Sequence, residues 1–123
     1  MGRCKTLSAV YDTVRFMLIR LRYASTLSDA TTPDDLVAIV AWSAEWNRAH
    51  AITGILAVDG RKVMQVLEGS AEAVDALFVQ IARDPRHHGV IVLDRFEIPE
   101  VSFDDWGMVR RSMVAMLLTV EGW

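Results

Sequence analysis

Between Leu18 and Ser25 apolar and charged residues alternate: Ile19, Leu21, Tyr23 and Ser25 share one face, Arg20 and Arg22 the other. This period of two predicts a half-exposed strand. Thr32-Pro33-Asp34-Asp35 then offers a hydroxyl cap, a proline at the first helical position and acids in the first turn, which together start a helix. Leu36, Ile39, Val40, Ser43 and Asn47 recur at helical spacing and carry it to Ala49. Two short apolar runs, Ile55 to Val58 and Val63 to Leu67, flank Asp59-Gly60, a hairpin signal. Ser70 caps a second helix whose stripe is Val74, Leu77, Phe78 and Ile81, and Asp84-Pro85 ends it. Val90 to Ile98 reads as a fourth strand and Gly107 to Ser112 as a fifth; Met113 to Val120 is apolar and fits either strand or helix.

The order β-α-β-β-α-β plus a further strand is that of an α+β, ferredoxin-like fold, with two helices on one face of an antiparallel-rich sheet and a C-terminal extension. In that topology the first and third strands are central neighbours. Tyr23 and Gln65 then lie side by side under the helical layer, and Ser43 and Asn47 interrupt the apolar stripe of the first helix facing them. Two readings of this cluster stand. Either the four polar groups satisfy one another as a core network, or they serve a buried ligand. Gln65 carries most weight for the second, because a glutamine between Val63 and Val66 is an unusual core residue and its amide both donates and accepts.

At 123 residues the chain has room for one core. We divide it into an N-terminal extension (1–16), a folded domain (17–112) and a C-terminal segment (113–123). Met17 reads equally well as a core methionine or as a start of translation. The apolar content of 52% is that of a packed domain. Thirteen basic residues are scattered and the net charge is −3, which argues against a nucleic-acid surface. The lone Cys4 excludes an internal disulfide and a cysteine metal site. With no apolar run of about 18 residues and no signal-peptide core, a cytoplasmic protein without a membrane partner is expected. His50, His87 and His88 lack zinc-motif spacing, and no nucleophile elbow or glycine-rich phosphate loop occurs; no enzyme activity and no metal are expected. Trp42, Trp46 and Trp106 read as packing residues, and Glu68 as a strand end.

Five ordered segments resemble the BLUF family of flavin-based blue-light sensors, over Leu18 to about Val109. They are Tyr23-Ala24-Ser25, Asn47 with Ile52-Thr53-Gly54, Gln65-Val66-Leu67-Glu68-Gly69, Asp84-Pro85-Arg86-His87, and Phe103, Trp106 and Met108. The resemblance implies an isoalloxazine ring between the two helices, with FAD the usual flavin and FMN the alternative. It places Asn47 on the ring's carbonyl and imide edge, Gln65 and Tyr23 at the photoactive switch, and Arg86 and His87 along the pyrimidine or ribityl side. Ile39 and Ile52 would pack on the ring faces, with Ser43, Trp106 and Met108 also counted to the site. It further implies that light moves an electron and a proton from the tyrosine and back, that the glutamine rearranges, and that absorption shifts to the red. Trp46 departs from the family, which often has a polar residue there, and offers a competing electron donor.

Only Val109 to Trp123 follows the matched region, so the resemblance is to short members whose output passes to an unidentified downstream protein or to a change in self-association. A homo-oligomer is expected. Met113, Val114, Met116, Leu117 and Leu118 are expected to pack against the sheet's open face or another subunit. The competing functions are a ferredoxin-like ligand-binding or oligomeric regulatory module without light chemistry, and an acylphosphatase-type hydrolase. The latter lacks an arginine-bearing loop in Ala24 to Ala30.

Overall fold

The computed structural model describes residues 17–102 and the backbone of 107–111. The expectations for Met1 to Phe16, for Phe103 and Trp106, and for the tail from Ser112 onward lie outside the described residues. The elements are β1 (Leu18–Leu27), α1 (Pro33–Ala49), β2 (Thr53–Asp59), β3 (Lys62–Ser70), α2 (Ala71–Arg83), β4 (His87–Glu97) and β5 (Gly107–Arg111).

Thr32 caps α1: its hydroxyl accepts from Asp35 N–H at 3.1 Å while the Asp35 carboxylate accepts from Thr32 N–H at 2.9 Å, a reciprocal capping box. Ser70 caps α2 by accepting from Ala73 N–H. Between β2 and β3, Asp59 faces Lys62 across a two-residue turn. Gly60 takes φ +59° at the first central position, a conformation that costs glycine little and other residues much.

The strand order is β4-β1-β3-β2-β5. β1 and β3 are thus the central neighbours, and Tyr23 stands directly opposite Gln65. β5 joins β2 in parallel, with Gly54 opposite Met108. On the helical side Ile19, Leu21, Leu56, Val63 and Leu67 meet Leu36 from α1 and Val74 and Leu77 from α2 in one core. Behind α1 the chain reverses through Ala51, at φ +54°. Its carbonyl would lie 3.2 Å from a Cβ at Gly69 and Ile52 Cγ1 3.1 Å away, so any larger residue there would push these neighbours back by a few tenths of an ångström.

β4 begins at His87, three residues earlier than the apolar run suggested, because His87 and His88 pair with Leu27 and Thr26. Among the described strands it stands at the edge; its pairing with β1 carries two irregularities, at Arg22/Tyr23 and at Ala24/Thr26, and it exposes Ile91, Val92, Leu93 and Phe96. The outward face of β1 also differs from a plain half-exposed strand. Arg20 is buried, paired with a fully buried Glu68 at 2.7 Å. Arg22 is held by Asp94. Ile55, Ala57 and Val66 are buried on the same side.

Candidate functional site

α1 is 17 residues long yet buries only Leu36 and Asn47, whereas the 13-residue α2 buries Ala71, Val74 and Leu77. The difference has a physical cause. The inner face of α1 stands over a cavity of about 460 Å³ bounded by both helices and the centre of the sheet, within the range of cofactor sites, roughly 300–1,000 Å³. Ile39 and Ser43 line it from α1 and are half-buried.

At the floor of this cavity the Tyr23 hydroxyl donates to Gln65 Oε1. Both side chains are buried. Phe78 packs at 5.5 Å between ring centroids and His87 edge-on at 6.3 Å, so the phenol has a fixed orientation. Burial, and secondarily the Asp84 carboxylate, push the Tyr23 hydroxyl well above its ordinary pKa. The native state therefore keeps a proton that the unfolded chain loses near pH 10, and stability is predicted to fall as pH rises beyond that value. A tyrosinate absorbance titration checks this. Parent and Tyr23→Phe should trace the same curve through pH 10–11, and a step present only in the parent would show an ordinary phenol.

Asn47 sits at the far end of α1, with no exposed surface. Its backbone carbonyl accepts from Ile52 N–H at 2.8 Å, which anchors the helix terminus. Its side-chain Oδ1 and Nδ2 have no hydrogen-bond partner among the described residues. A buried amide left unpaired costs about 1–3 kcal/mol, so the four polar groups do not form a self-satisfied core network. One acceptor beside one donor is the complement of a carbonyl–imide edge.

The loop after α2 closes another side. Arg86 donates to Asp84 through Nε at 2.9 Å and Nη2 at 2.5 Å, and this bond holds the Asp84 carboxyl below its usual range. The Arg86 carbonyl accepts from Thr31 Oγ1 and Ser28 N–H, tying the loop to the one before α1. One ring nitrogen of His87, Nε2, lies 2.6 Å from the Ile81 carbonyl. A carbonyl only accepts, so Nε2 carries the proton, and in the neutral ring Nδ1 accepts from Ser25 Oγ at 2.8 Å. Arg86 and His87 both line the cavity.

The tyrosine–glutamine pair, the unpartnered asparagine and the arginine–histidine loop thus surround one hollow, and a family model for BLUF, "sensors of blue-light using FAD", matches residues 18–109. The chain belongs to the BLUF family. It is 32% identical over 92 residues to the Escherichia coli (strain K12) blue light- and temperature-regulated antirepressor BluF, covering 75% of this chain and 23% of that one. The dark-state structure of BlrB, a BLUF protein, is 34% identical with a TM-score of 0.77, covering 83% of this chain and 77% of that one. Klebsiella pneumoniae BlrP1 with FMN and cyclic diGMP is 38% identical with a TM-score of 0.73, covering 78% and 26%. The chain therefore spans about a quarter of the length of BluF and of BlrP1.

BLUF domains use a flavin, and this chain's donor set suits one: the unpaired amide of Asn47 and an apolar hollow between helices. Seven of the expected residues meet at the cavity: Tyr23, Ile39, Ser43, Asn47, Gln65, Arg86 and His87. Ile52 does not line it; it lies fully buried in the core against Gly69. Met108 is placed by its backbone opposite Gly54, and Trp106 lies outside the described residues. Trp42 stacks on Trp46, with 6.4 Å between ring centroids. It is 53% exposed and lines the cavity, because it sits on the flank of α1 beside Ile39. Trp46 is half-buried and stacks on His50 at 3.7 Å. Sequence reasoning also missed Leu27 and Gln80 as lining residues; Leu27 lies beyond the alternating run, and an exposed glutamine carries no signal. Among the described residues no helix is long and apolar enough to cross a membrane, and no group of three metal-ligating side chains occurs.

Proposed function

We propose that this chain is a blue-light photoreceptor that signals by a hydrogen-bond switch and performs no catalytic turnover. The observation that carries the reading is the buried Tyr23–Gln65 hydrogen bond in the same cavity as the unpartnered Asn47 amide. Asn47 holds the ring edge, Ile39 and Ser43 bound its face and side, and Arg86 and His87 form the wall where the ribityl chain leaves. Ile52 supports the floor from behind, and Trp106 and Met108 are counted to the site on the family resemblance.

A bound flavin supplies blue-light absorption and an acceptor for one electron and one proton. Tyr23 is the donor. Its hydroxyl proton is already directed at Gln65 Oε1, and burial against charge means that the phenol gives up its proton only together with an electron. While Tyr23 is oxidised its oxygen no longer donates, and the reason for Gln65 to present its own oxygen is gone. The amide turns, and when the electron and the proton have both returned to Tyr23 the new hydrogen bond persists as the signalling state.

FAD is the flavin we assign, following the family's description, with FMN as the alternative. Output passes from β5 and the C-terminal segment to a separate protein or to a changed homo-oligomer in the cytoplasm. The decisive experiment is an absorption spectrum of the purified protein before and after blue light. A yellow protein with a red shift that reverts in the dark is expected. A colourless protein, or a yellow one with an unchanging spectrum, would return the chain to the class of ligand-binding regulatory modules.

A further inference from the structure

On the sheet face opposite the cavity a second polar cluster is buried, and the switch just described makes no use of it. Glu68 is fully buried. Its Oε2 accepts from Arg20 Nε at 2.7 Å and its Oε1 from the backbone N–H of Ser102 at 2.6 Å. Arg20 Nη2 also donates to Ser102 Oγ. These bonds tie the connection between β4 and β5 to the centre of the sheet. Thr53 stands directly opposite Glu68 across the β2–β3 ladder, so the two side chains share a face with Cβ atoms about 4.5–5.5 Å apart. Thr53 is 1% exposed, and its hydroxyl has no partner among the described residues.

We propose that Glu68 is a two-position acceptor: it holds the Ser102 amide in one state and the Thr53 hydroxyl in the other. The bond count decides that both states are accessible. The buried carboxylate keeps Arg20 and one further donor in either position, so its charge is never left short of partners. In the second position the Thr53 hydroxyl gains a bond it lacks. Ser102 is exposed, and water replaces what its amide gives up. Exchange thus releases the Ser102 amide from the sheet, and Arg20 Nη2, whose bond to Ser102 Oγ loosens with it, turns to the water that reaches this exposed residue. Glu68 follows Gln65 by three positions on β3 and points to the opposite face, so a displacement of β3 at Gln65 acts on both partners of Glu68 at once. This last link, and only this one, rests on the photoreceptor reading.

Hydrogen exchange at the Ser102 amide, followed by NMR on the full chain in the dark, tests the exchange without light. Thr53→Val keeps the side-chain shape and deletes the competing donor; it is expected to slow Ser102 exchange about ten- to a hundredfold, the weight of one hydrogen bond to a charged group. Glu68→Gln is expected to speed it by a similar factor and to move the amide proton upfield. A Thr53→Val protein that melts like the parent and exchanges Ser102 at the parent's rate would overturn the proposal. In blue light, Ser102 exchange should rise in the parent and stay at its dark value in Thr53→Val, while the red shift forms in both. An equal rise in both would also overturn it. A parent with no red shift counts against the photoreceptor reading instead, and the dark comparison still decides the exchange.

Discussion

Gln65→Leu protein is expected to purify yellow, with an intact flavin spectrum, and to show no red shift under blue light. Leucine keeps a similar volume on β3 but removes the amide that accepts from the Tyr23 hydroxyl, and with it the group whose rearrangement is the signal. The loss should be complete. Tyr23→Phe keeps the ring packed against Phe78 and removes only the hydroxyl, which should change folding by about 1–2 kcal/mol or less. It should also be silent, because the redox-active proton is gone. Both are read by difference spectra, with flavin occupancy measured beside them. A Gln65→Leu protein that still cycles would dismiss the amide as the switch. If Tyr23→Phe alone cycles, the electron has another source, and Trp42, which lines the cavity, is the described residue placed to supply it.

Asn47→Leu should move two measurements in opposite directions. Leucine resembles asparagine in volume, so no cavity term intrudes as it would with alanine. Flavin affinity is expected to fall about 10- to 100-fold, since two oriented bonds to a buried edge are lost, each worth about 1 kcal/mol or more. The flavin-free protein is expected to gain about 1–3 kcal/mol, because a buried amide with no partner among the described residues is replaced by an apolar group. Flavin titration and thermal melts of the stripped protein check the two halves. Unchanged affinity would remove Asn47 from the site. An unchanged melt with lowered affinity would mean that the amide finds water in the flavin-free state.

The local rules carried the site further than the composition did. Period two on β1 and β3 placed Tyr23 and Gln65 on one face, and the ferredoxin-like order made those strands neighbours, which is the register observed. The Thr32 cap and the Asp59-Gly60 turn were equally legible because each acts within a few residues. Arg20 was not. An arginine alternating with apolar residues reads as solvated, and its partner Glu68 lies 48 positions away, beyond any periodicity. The place of Trp42 over the cavity was hidden for a related reason. Helical spacing assigns a residue to a face, but it does not reveal that the space under that face is empty. Nor did the apolar run Val90 to Leu93 disclose that it forms an edge, since a run buried on both sides has the same composition.

That edge has a consequence for the protein's behaviour at high concentration. Among the described residues β4 offers an outer row of backbone donors and acceptors beside exposed Ile91, Val92 and Leu93, with no charge between Gly89 and Leu93. A flat strand of that kind recruits copies of itself into open-ended stacks. The two irregularities against β1 bend and twist the strand locally, so its free groups do not align with those of a straight neighbour. The ladder breaks at Arg22/Tyr23, beside the residue that donates to Gln65. The distortion that flanks the tyrosine therefore also works against strand addition along this apolar rim.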